Sequence, residues 1–221
     1  MEPIVDVSFP VLSQAELPAD HNYILFAALC RTIPELHGND GFAVHPLAGR
    51  IVGPRVMQLC DWSRLTIRCP ANSIGTLLPL AGKQISLADR RVLIGIPQVQ
   101  TLIPAPTLRS RLVTTKNGED LERFRTEVRR QLEVIQVNVA SIWTEVERRD
   151  HPEIPTAATV TIGKRRTLRI KDKEIVGYDV LIEGLSAEES LNIQQIGIGG
   201  RRHLGCGVFA PFARPEGSDR D

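Results

Sequence analysis

Histidines are the side chains in this sequence best suited to transfer protons near neutral pH. The chain has five of them, and an imidazole with its ordinary pKa of about 6.5 can act as a base or as an acid. His37 lies directly before Gly38 at the predicted end of the first helix, where the helix dipole stabilises a protonated imidazole. Position alone favours an inert histidine at a helix end, so on the residues alone His37, with His45 as a second choice, is no more than a candidate for proton transfer. His21 follows Asp20 at the predicted start of that helix and is expected to be structural.

The spacing of metal-ligating residues favours neither a metal site nor another cofactor. His37 and His45 are eight positions apart and have no third partner close by in the sequence. The cysteines form no CxxC pair, which indicates free thiols in a reducing cytoplasm rather than disulfides or a structural zinc site. These cysteines are Cys30, Cys60, Cys69 and Cys206.

A glycine-rich segment, residues 197–207, carries the sharpest signal for binding. It reads Gly-Ile-Gly-Gly-Arg-Arg-His-Leu-Gly-Cys-Gly, and its glycines permit positive φ and leave backbone amides uncovered. Cys206 stands where a Walker A loop has lysine, and the segment follows a predicted helix and leads into a strand, unlike a dinucleotide-binding loop. The segment predicts a loop that a phosphate backbone approaches closely, with a purely structural turn as the alternative. The candidate contacts are Gly199, Gly200, Arg201, Arg202 and His203.

Basic residues are concentrated in one further place, although the whole chain has a net charge of only +1. Residues 164–173 contain six lysines and arginines and a single acid, Asp172. Such a run predicts an anionic partner at this place, with a solvated basic hairpin as the alternative. The candidate nucleic-acid contacts in the run are Lys164, Arg165, Arg166 and Arg169.

The elements that must position these residues follow one order in the two halves of the chain. In the first half, Asp20 is the predicted N-cap of the first helix. In the second half, two strands are expected to form a hairpin across Gly163, Lys164 and Arg165. Residues 138–156 are left open, with a helix at 142–147 as one interpretation. The predicted elements are strands at 4–12, 56–60, 64–68, 92–96, 98–103, 107–114, 157–162, 166–171, 176–182 and 208–209, and helices at 21–36, 70–79, 119–137 and 186–195.

Two consecutive βαββαβ units are the ferredoxin-like pattern repeated. The expected fold class is α+β, with two tandem ferredoxin-like domains at 1–103 and 104–213 and a flexible tail at 214–221. The boundary is predicted in the stretch Pro104-Ala-Pro106. Because this fold occurs with many functions, it does not decide the function by itself.

The composition fits a soluble globular protein. The 221 residues are 42% hydrophobic and 24% charged, which argues against extensive disorder. No apolar run approaches the roughly 18–20 residues that span a membrane. The first residues include Glu2 and Asp6 and no basic stretch, so no signal peptide is expected. We predict a cytoplasmic protein with no membrane partner.

Several stretches resemble a known family. ESLNIQQIGIGGRRHLGCGVF resembles the C-terminal glycine-rich signature of the CRISPR-associated RAMP proteins that process repeat RNA. FPVLSQAELPADHNYILFAALCRTIPELHG resembles the first strand, first helix and helix-end histidine of the same endoribonuclease family. DWSRLTIRCP, AGKQISL and GLSAEESL are most similar to its myxan-type subgroup. The resemblance extends over residues 3–212.

The resemblance implies two ferredoxin-like domains and a metal-independent endoribonuclease without cofactors. It implies that the chain cuts a CRISPR precursor transcript within repeat RNA, leaving a 5′-hydroxyl and a 2′,3′-cyclic phosphate, with His37 as a catalytic residue. A hairpin substrate and further subunits of a CRISPR effector complex are the implied partners. Some members add a tyrosine or lysine beside the histidine, but Tyr23 is expected to lie too far from His37, because more than three helical turns separate them in the sequence.

Two other functions remain open at this point. A non-catalytic RNA-binding subunit of the same superfamily would keep the glycine-rich segment and the basic run but would not use His37. A ferredoxin-like regulator that binds a small molecule would need neither basic run nor nucleic-acid affinity. Cleavage of repeat RNA in EDTA, binding without cleavage, or neither would distinguish the three.

Overall fold

The computed structural model of the chain describes residues 2–116, 118–153 and 155–213. Unit 1 consists of Met1–Leu102, Leu168–Ile175 and Arg201–Gly205. Unit 2 consists of Ile103–Thr167, Val176–Gly200 and Cys206–Asp221. Two short stretches of the C-terminal half therefore belong to unit 1. The predicted flexible tail, 214–221, lies outside the described residues.

The described elements of unit 1 follow a βαββαβ order with added strands. They are β1 (Ile4–Pro10), β2 (Glu16–Pro18), α1 (Asn22–Thr32), β3 (Ala43–Val44), β4 (Arg50–Gly53), β5 (Val56–Gln58), β6 (Arg64–Pro70), α2 (Ile74–Leu77), β7 (Gln84–Leu87), β8 (Arg90–Leu93) and β9 (Gln98–Thr101).

The main sheet of unit 1 has the strand order β3-β6-β1-β9. All of its neighbours are antiparallel. This is the second-third-first-fourth order of a ferredoxin-like fold. Every second residue of β1 is buried, and Val7 and Phe9 pack with Leu25 and Leu29 of α1 in one hydrophobic core. The core therefore fixes which face of α1 is left for other contacts.

The first helix is shorter than the sequence predicts. It ends at Thr32, Ile33 takes an extended conformation, and a separate 3₁₀ turn covers Pro34–Leu36. Proline has no backbone N–H and disfavours a helical conformation at the residue before it, which accounts for the early stop. The prediction of one helix over 21–36 is therefore wrong at its C-terminal end.

The start of α1 also differs from the prediction. His21 holds the N-cap position, without a side-chain capping bond. The carboxylate of Asp20 instead accepts the backbone N–H of Arg169 at 3.1 Å. The prediction of Asp20 as the N-cap is wrong, because this side chain is committed to a distant strand.

Unit 2 repeats the βαββαβ order with one inserted strand and helix. Its elements, some of which extend beyond the unit, are β10 (Leu108–Val113), α3 (Leu121–Val134), β11 (Ser141–Thr144), α4 (Glu145–Arg149), β12 (Thr159–Ile170), β13 (Lys173–Glu183), α5 (Ala187–Ile196) and β14 (Ala210–Pro211).

The sheet of unit 2 has the order β11-β12-β13-β10-β14. Without β11, which lies parallel to β12 at one edge, this is again the ferredoxin-like order. Phe124 and Val128 of α3 pack with Ile193 of α5 and with the sheet in a second hydrophobic core. The fold class is therefore α+β with two ferredoxin-like arrangements, as predicted. None of the helices within the described residues is long and apolar enough for a membrane crossing.

The predicted basic hairpin is wrong. β12 runs without interruption over Thr159–Ile170, and the turn that follows it begins at Lys171, which has a positive φ of 54°. Gly163 does not make a turn: a Cβ there would lie 2.9 Å from Oε1 of Glu145 and 3.2 Å from Cβ of Asp179. The glycine is needed for close packing inside the strand. A sequence does not distinguish a glycine that allows close packing from a glycine that forms a turn.

Two other predictions were partly wrong, and one is confirmed. Residues 141–144 form a strand, and a capping box of Thr144 and Glu147 starts the helix only at Glu145. The last strand is Ala210–Pro211, not 208–209. The capping box of Ser186 and Glu189 at the start of α5 is confirmed.

Candidate active site

One face of α1 forms the wall of a pocket in unit 1. Tyr23, Phe26, Ala27 and Cys30 follow the three-and-four spacing of a single helix face and line a pocket of about 370 Å³. None of these four side chains is fully buried. The other lining residues are His37, Ile170, Arg201, His203 and Leu204.

The bend after α1 brings His37 to this pocket. Because the helix stops at Thr32, His37 follows the 3₁₀ turn and is exposed. The expected support of His37 by the dipole of the first helix is therefore not present. Tyr23 lines the same pocket as His37, although the sequence predicts that it lies too far away to share one active centre. That expectation assumed one straight helix between the two residues.

The tip of the glycine-rich segment supplies the opposite side of the pocket. Arg201 has a left-handed backbone with φ 63°, and a short 3₁₀ turn covers Arg202–Leu204. The side-chain amide of Asn22 donates a hydrogen bond of 2.7 Å to the carbonyl oxygen of Leu204. The His203 ring lies 4.6 Å from the Phe26 ring, centroid to centroid. These contacts hold His203 against the same helix that carries Tyr23.

The surroundings of His203 favour its neutral form. Burial lowers the pKa of this half-buried histidine, Asp40 opposes the shift, and the charges of Arg201 and His37 lower it further. A neutral imidazole near pH 7 is the form that accepts a proton. The sequence indicated His203 only as a contact residue, and its surroundings favour the form that can accept a proton.

The amides expected to be uncovered in the glycine-rich segment are already bonded at two positions. The N–H of Gly199 donates to Oε1 of Gln131 at 2.6 Å, and the N–H of Gly200 donates to the carbonyl of Thr114 at 3.0 Å. Gly199 has a φ of +82°, but Gly200 has no positive φ. The idea that these two amides are free for a phosphate is wrong, and Gly199 has a structural role in unit 2.

His45 lies in a different environment from His37. Its Nε2 is 3.6 Å from Oδ1 of Asp6, and Asp6 is held by two hydrogen bonds from the buried Arg68, at 2.8 and 2.9 Å. Burial raises the pKa of Asp6, but the neighbouring His45 and the hydrogen-bonded Arg68 outweigh it and hold that pKa well below its usual range. Burial lowers the pKa of His45. This geometry is compatible with a structural role for His45, and its place as second catalytic candidate stays a prediction.

His21 is structural, as predicted. Its Nε2 accepts the backbone N–H of Leu47 at 3.1 Å, so the proton lies on Nδ1, which is 3.1 Å from the carbonyl oxygen of Pro18. Both ring nitrogens are thus occupied. No group of three or more His, Cys, Asp or Glu side chains in the described ranges is arranged to hold a metal ion.

The predicted basic contacts are divided between the units. Arg166 belongs to unit 2, where it lies 3.3 Å from Oδ2 of Asp179, a carboxylate that Arg109 also binds at 2.6 Å. Lys164 and Arg165, also in unit 2, are exposed. Arg169 is exposed and belongs to unit 1. Their sequence neighbourhood therefore does not by itself make them one binding surface.

Asn22, Tyr23 and Phe26 were missed by the sequence interpretation as parts of a site. The spacing of Tyr23, Phe26 and Cys30 is a usable signal, because the core-facing row of α1 is already filled by Leu25 and Leu29. Phe26 and Cys30 also pack against this core, so the second row lies at the boundary between the core and the pocket.

Comparison with known proteins gives concordant results. A family model described as Cas6 Crispr matches residues 5–214. A curated relative from Myxococcus xanthus (strain DK1622), named CRISPR-associated endonuclease Cas6, is 38% identical over 210 residues, which are 95% of this chain and 82% of the relative.

Two solved structures share the fold. "Characterization of a Cas6-related gene from Pyrococcus furiosus" aligns with a TM-score of 0.63 and 15% identity, covering 97% of this chain and 100% of the other. "An RAMP protein binding different RNA substrates" aligns with a TM-score of 0.63 and 14% identity, covering 96% and 100%. From the family match and the relative in M. xanthus, the chain belongs to the Cas6 family of CRISPR-associated endonucleases.

Proposed function

We propose that the pocket of His37 and His203 is the active centre of a metal-independent endoribonuclease that cuts CRISPR repeat RNA. One observation carries this proposal: two histidines and Arg201 line a single pocket in unit 1. Membership in a family of endonucleases, and a structural relative described as binding RNA substrates, support RNA as the substrate.

RNA supplies its own nucleophile in this reaction. The 2′-oxygen attacks the adjacent phosphorus, a bond from the 2′-oxygen to phosphorus forms, and the bond from phosphorus to the 5′-oxygen breaks. His203 accepts the proton of the 2′-hydroxyl, and His37 donates a proton to the leaving 5′-oxygen. The products are a 2′,3′-cyclic phosphate and a 5′-hydroxyl. The proposed step uses no metal ion and consumes no water.

The chemical environment supports this division of roles. His203 is half-buried, and its lowered pKa keeps it ready to accept a proton. His37 is exposed at the edge of the helix face, where it can exchange protons with solvent between turnovers. Arg201 lines the same pocket, and its fixed positive charge offsets the negative charge that develops on the phosphate oxygens.

Single-turnover cleavage of repeat RNA in EDTA, at saturating protein, tests the proposal. We expect His37→Ala and His203→Ala each to lower the rate by about 10²–10⁴-fold, with RNA affinity nearly unchanged. A 2′-deoxy substitution at the scissile nucleotide should block cleavage and leave binding intact. The 2′,3′-cyclic phosphate should be detected by mass spectrometry of the product.

Two matched variants make the test specific. His151→Ala removes a histidine that stacks on Trp143 in unit 2, and it should cleave normally. Tyr23→Phe keeps the ring that lines the pocket and removes only its hydroxyl. If Tyr23→Phe loses cleavage and His203→Ala does not, the second proton-transfer group is Tyr23. Near-normal cleavage by His37→Ala would contradict the proposed active centre itself.

We further propose that the enzyme works in the cytoplasm with other subunits of a CRISPR effector complex. Its four free cysteines fit a reducing compartment. We also propose the exposed Lys164 and Arg165 as contacts for a repeat hairpin, because basic side chains bind backbone phosphates with little sequence preference. Arg202 is proposed beside Arg201 as a further phosphate contact.

A further inference from the structure

A second, cationic pocket lies beside the first in unit 1. Its volume is about 460 Å³. It is formed by the start of α1 with the strand residue before it, by the turn between β4 and β5, and by the tip of the β12–β13 hairpin. The lining residues are Pro18, Asp20, Tyr23, Ile24, Arg55, Arg169 and Lys171.

Positive charge exceeds negative charge in this pocket. Arg55, Arg169 and Lys171 are exposed and face a single acid, Asp20. The Asp20 carboxylate accepts the backbone N–H of Arg169 at 3.1 Å and lies 4.0 Å from Nη2 of Arg55. Asp20 thus holds the hairpin tip in position, while at least two positive charges remain uncompensated. An excess of positive charge around one cavity indicates an anionic ligand.

Tyr23 connects this pocket to the proposed active centre. It lines both pockets, so a strand that is cut in the first pocket continues past Tyr23 toward the second. An aromatic ring between cations is the combination that binds an unpaired nucleotide, because the base stacks on the ring and the phosphates meet the cations.

We propose that the pocket of Arg55, Arg169, Lys171 and Tyr23 binds the single-stranded RNA backbone directly beside the scissile bond. The proposal rests on the proposed function, since it needs RNA in the neighbouring pocket. It assigns RNA contacts to Arg55, Lys171 and Tyr23, which the sequence did not suggest. Guanidinium and ammonium groups here supply binding and register, not proton transfer.

Binding of uncleavable 2′-deoxy-substituted RNA to the triple variant Arg55→Gln, Arg169→Gln, Lys171→Gln tests this site. We expect affinity to fall at least tenfold at low salt. The slope of log affinity against log salt should flatten by about 2, because each lost contact to a single strand contributes about 0.7.

The matched control is Lys173→Gln, an exposed lysine on the same hairpin that does not line the pocket. It should bind with nearly wild-type affinity and salt slope. Because all the replaced side chains are exposed, thermal unfolding of each variant should match the wild type. An equal loss in Lys173→Gln, or an unchanged salt slope in the triple variant, would overturn the proposal.

Truncated substrates locate the bound segment. One RNA ends shortly upstream of the scissile bond and another shortly downstream. The loss of affinity caused by the triple variant should disappear with one truncated RNA and persist with the other. The RNA with which it disappears lacks the flanking segment that the pocket binds. A loss that persists with both would place these cations on the repeat stem and overturn the assignment to a flanking strand.

Substitution of Asp20 should change RNA affinity in the opposite direction. Asp20→Asn keeps an oxygen that accepts the N–H of Arg169 but removes the negative charge, so it should tighten RNA binding and steepen the salt slope. Unchanged or weaker binding of a folded Asp20→Asn protein would count against the site. Because binding is measured with uncleavable RNA, failure here is distinct from failure of the active centre, which only His37→Ala and His203→Ala report.

Discussion

His203 lies between charges of opposite sign, and this sets how it titrates. Burial lowers its pKa, Asp40 raises it, and Arg201 and His37 lower it again. A general base works only in its neutral form, so the rate falls as pH drops through its pKa. With the pKa lowered, that acid limb lies below the ordinary value of about 6.5.

Changing the two charged neighbours should therefore move the acid limb in opposite directions. Arg201→Gln removes a positive charge, so the pKa of His203 rises and the limb moves up toward pH 6.5. Asp40→Asn removes a negative charge, so the pKa falls and the limb moves down. The measurement is the single-turnover rate against pH at saturating protein, which removes the contribution of Arg201 to binding.

Two results would contradict this account of His203. Limbs that move together would mean that both substitutions act through another group, such as the RNA phosphate. A limb that stays in place in both variants would mean that His203 is not the group that titrates there.

At the residue scale, the sequence identified part of this site and missed part. His37 was found because the resemblance places it at the end of the first helix. Tyr23 was rejected because a straight helix from 21 to 36 would separate the two residues. The helix instead stops at Thr32, and both residues line one pocket. The position of Pro34 was the available signal for the stop. The contact of His45 with Asp6 depends on strand register that the sequence does not reveal.

At the element scale, the glycine-rich segment combines two functions in adjacent stretches. Gly197–Gly200 packs within unit 2, and Arg201–Gly205 belongs to unit 1. The capping box at the start of α5, the alternation of β1 and the element order were predicted correctly, because each depends on residues close together in the sequence. The turn of the predicted basic hairpin was wrong. Gly163 lies inside a long strand, where close packing against Glu145 and Asp179 requires a glycine, and both of these residues are distant in the sequence.

Neighbouring glycines of this segment should differ in their tolerance of a side chain. Gly199→Ala places an L-residue at φ +82° and brings its Cβ into the carbonyl oxygen of Thr114. We expect the free energy of unfolding to fall by at least about 1–2 kcal/mol. Gly200→Ala meets nothing within 4 Å and should change it by less than about 0.5 kcal/mol. Urea denaturation at constant m-value measures both.

Gly200→Ala also separates packing from binding. If this folded variant binds RNA like the wild type, close approach of the RNA backbone does not depend on Gly200. If it binds weakly, the expected close approach at Gly200 is supported even though the Gly200 amide is already bonded to Thr114.

At the scale of the whole molecule, the proposed active centre is assembled from three distant parts of the chain. They are residues 20–37, the tip of the β12–β13 hairpin, and Arg201–Gly205, and all lie in unit 1. Each part is fixed to the first by a specific contact. Arg169 is bonded to Asp20, Leu204 to Asn22, and His203 lies on Phe26. Phe26 also packs against the core of unit 1, whereas the hydrogen bonds of Asp20 and Asn22 can be changed separately from core packing.

Asn22 is the most direct test of this assembly. Asn22→Asp keeps the size of the side chain and is compatible with the first turn of a helix, but its carboxylate cannot donate to the carbonyl of Leu204. One such hydrogen bond contributes about 0.5–1.5 kcal/mol, so we expect the single-turnover rate at saturating protein to fall by up to about tenfold. Asn72→Asp introduces the same charge at an exposed site of unit 1 and should leave the rate unchanged. If both folded variants cleave alike, the Asn22 bond does not position His203, and its contact with Phe26 alone must do so.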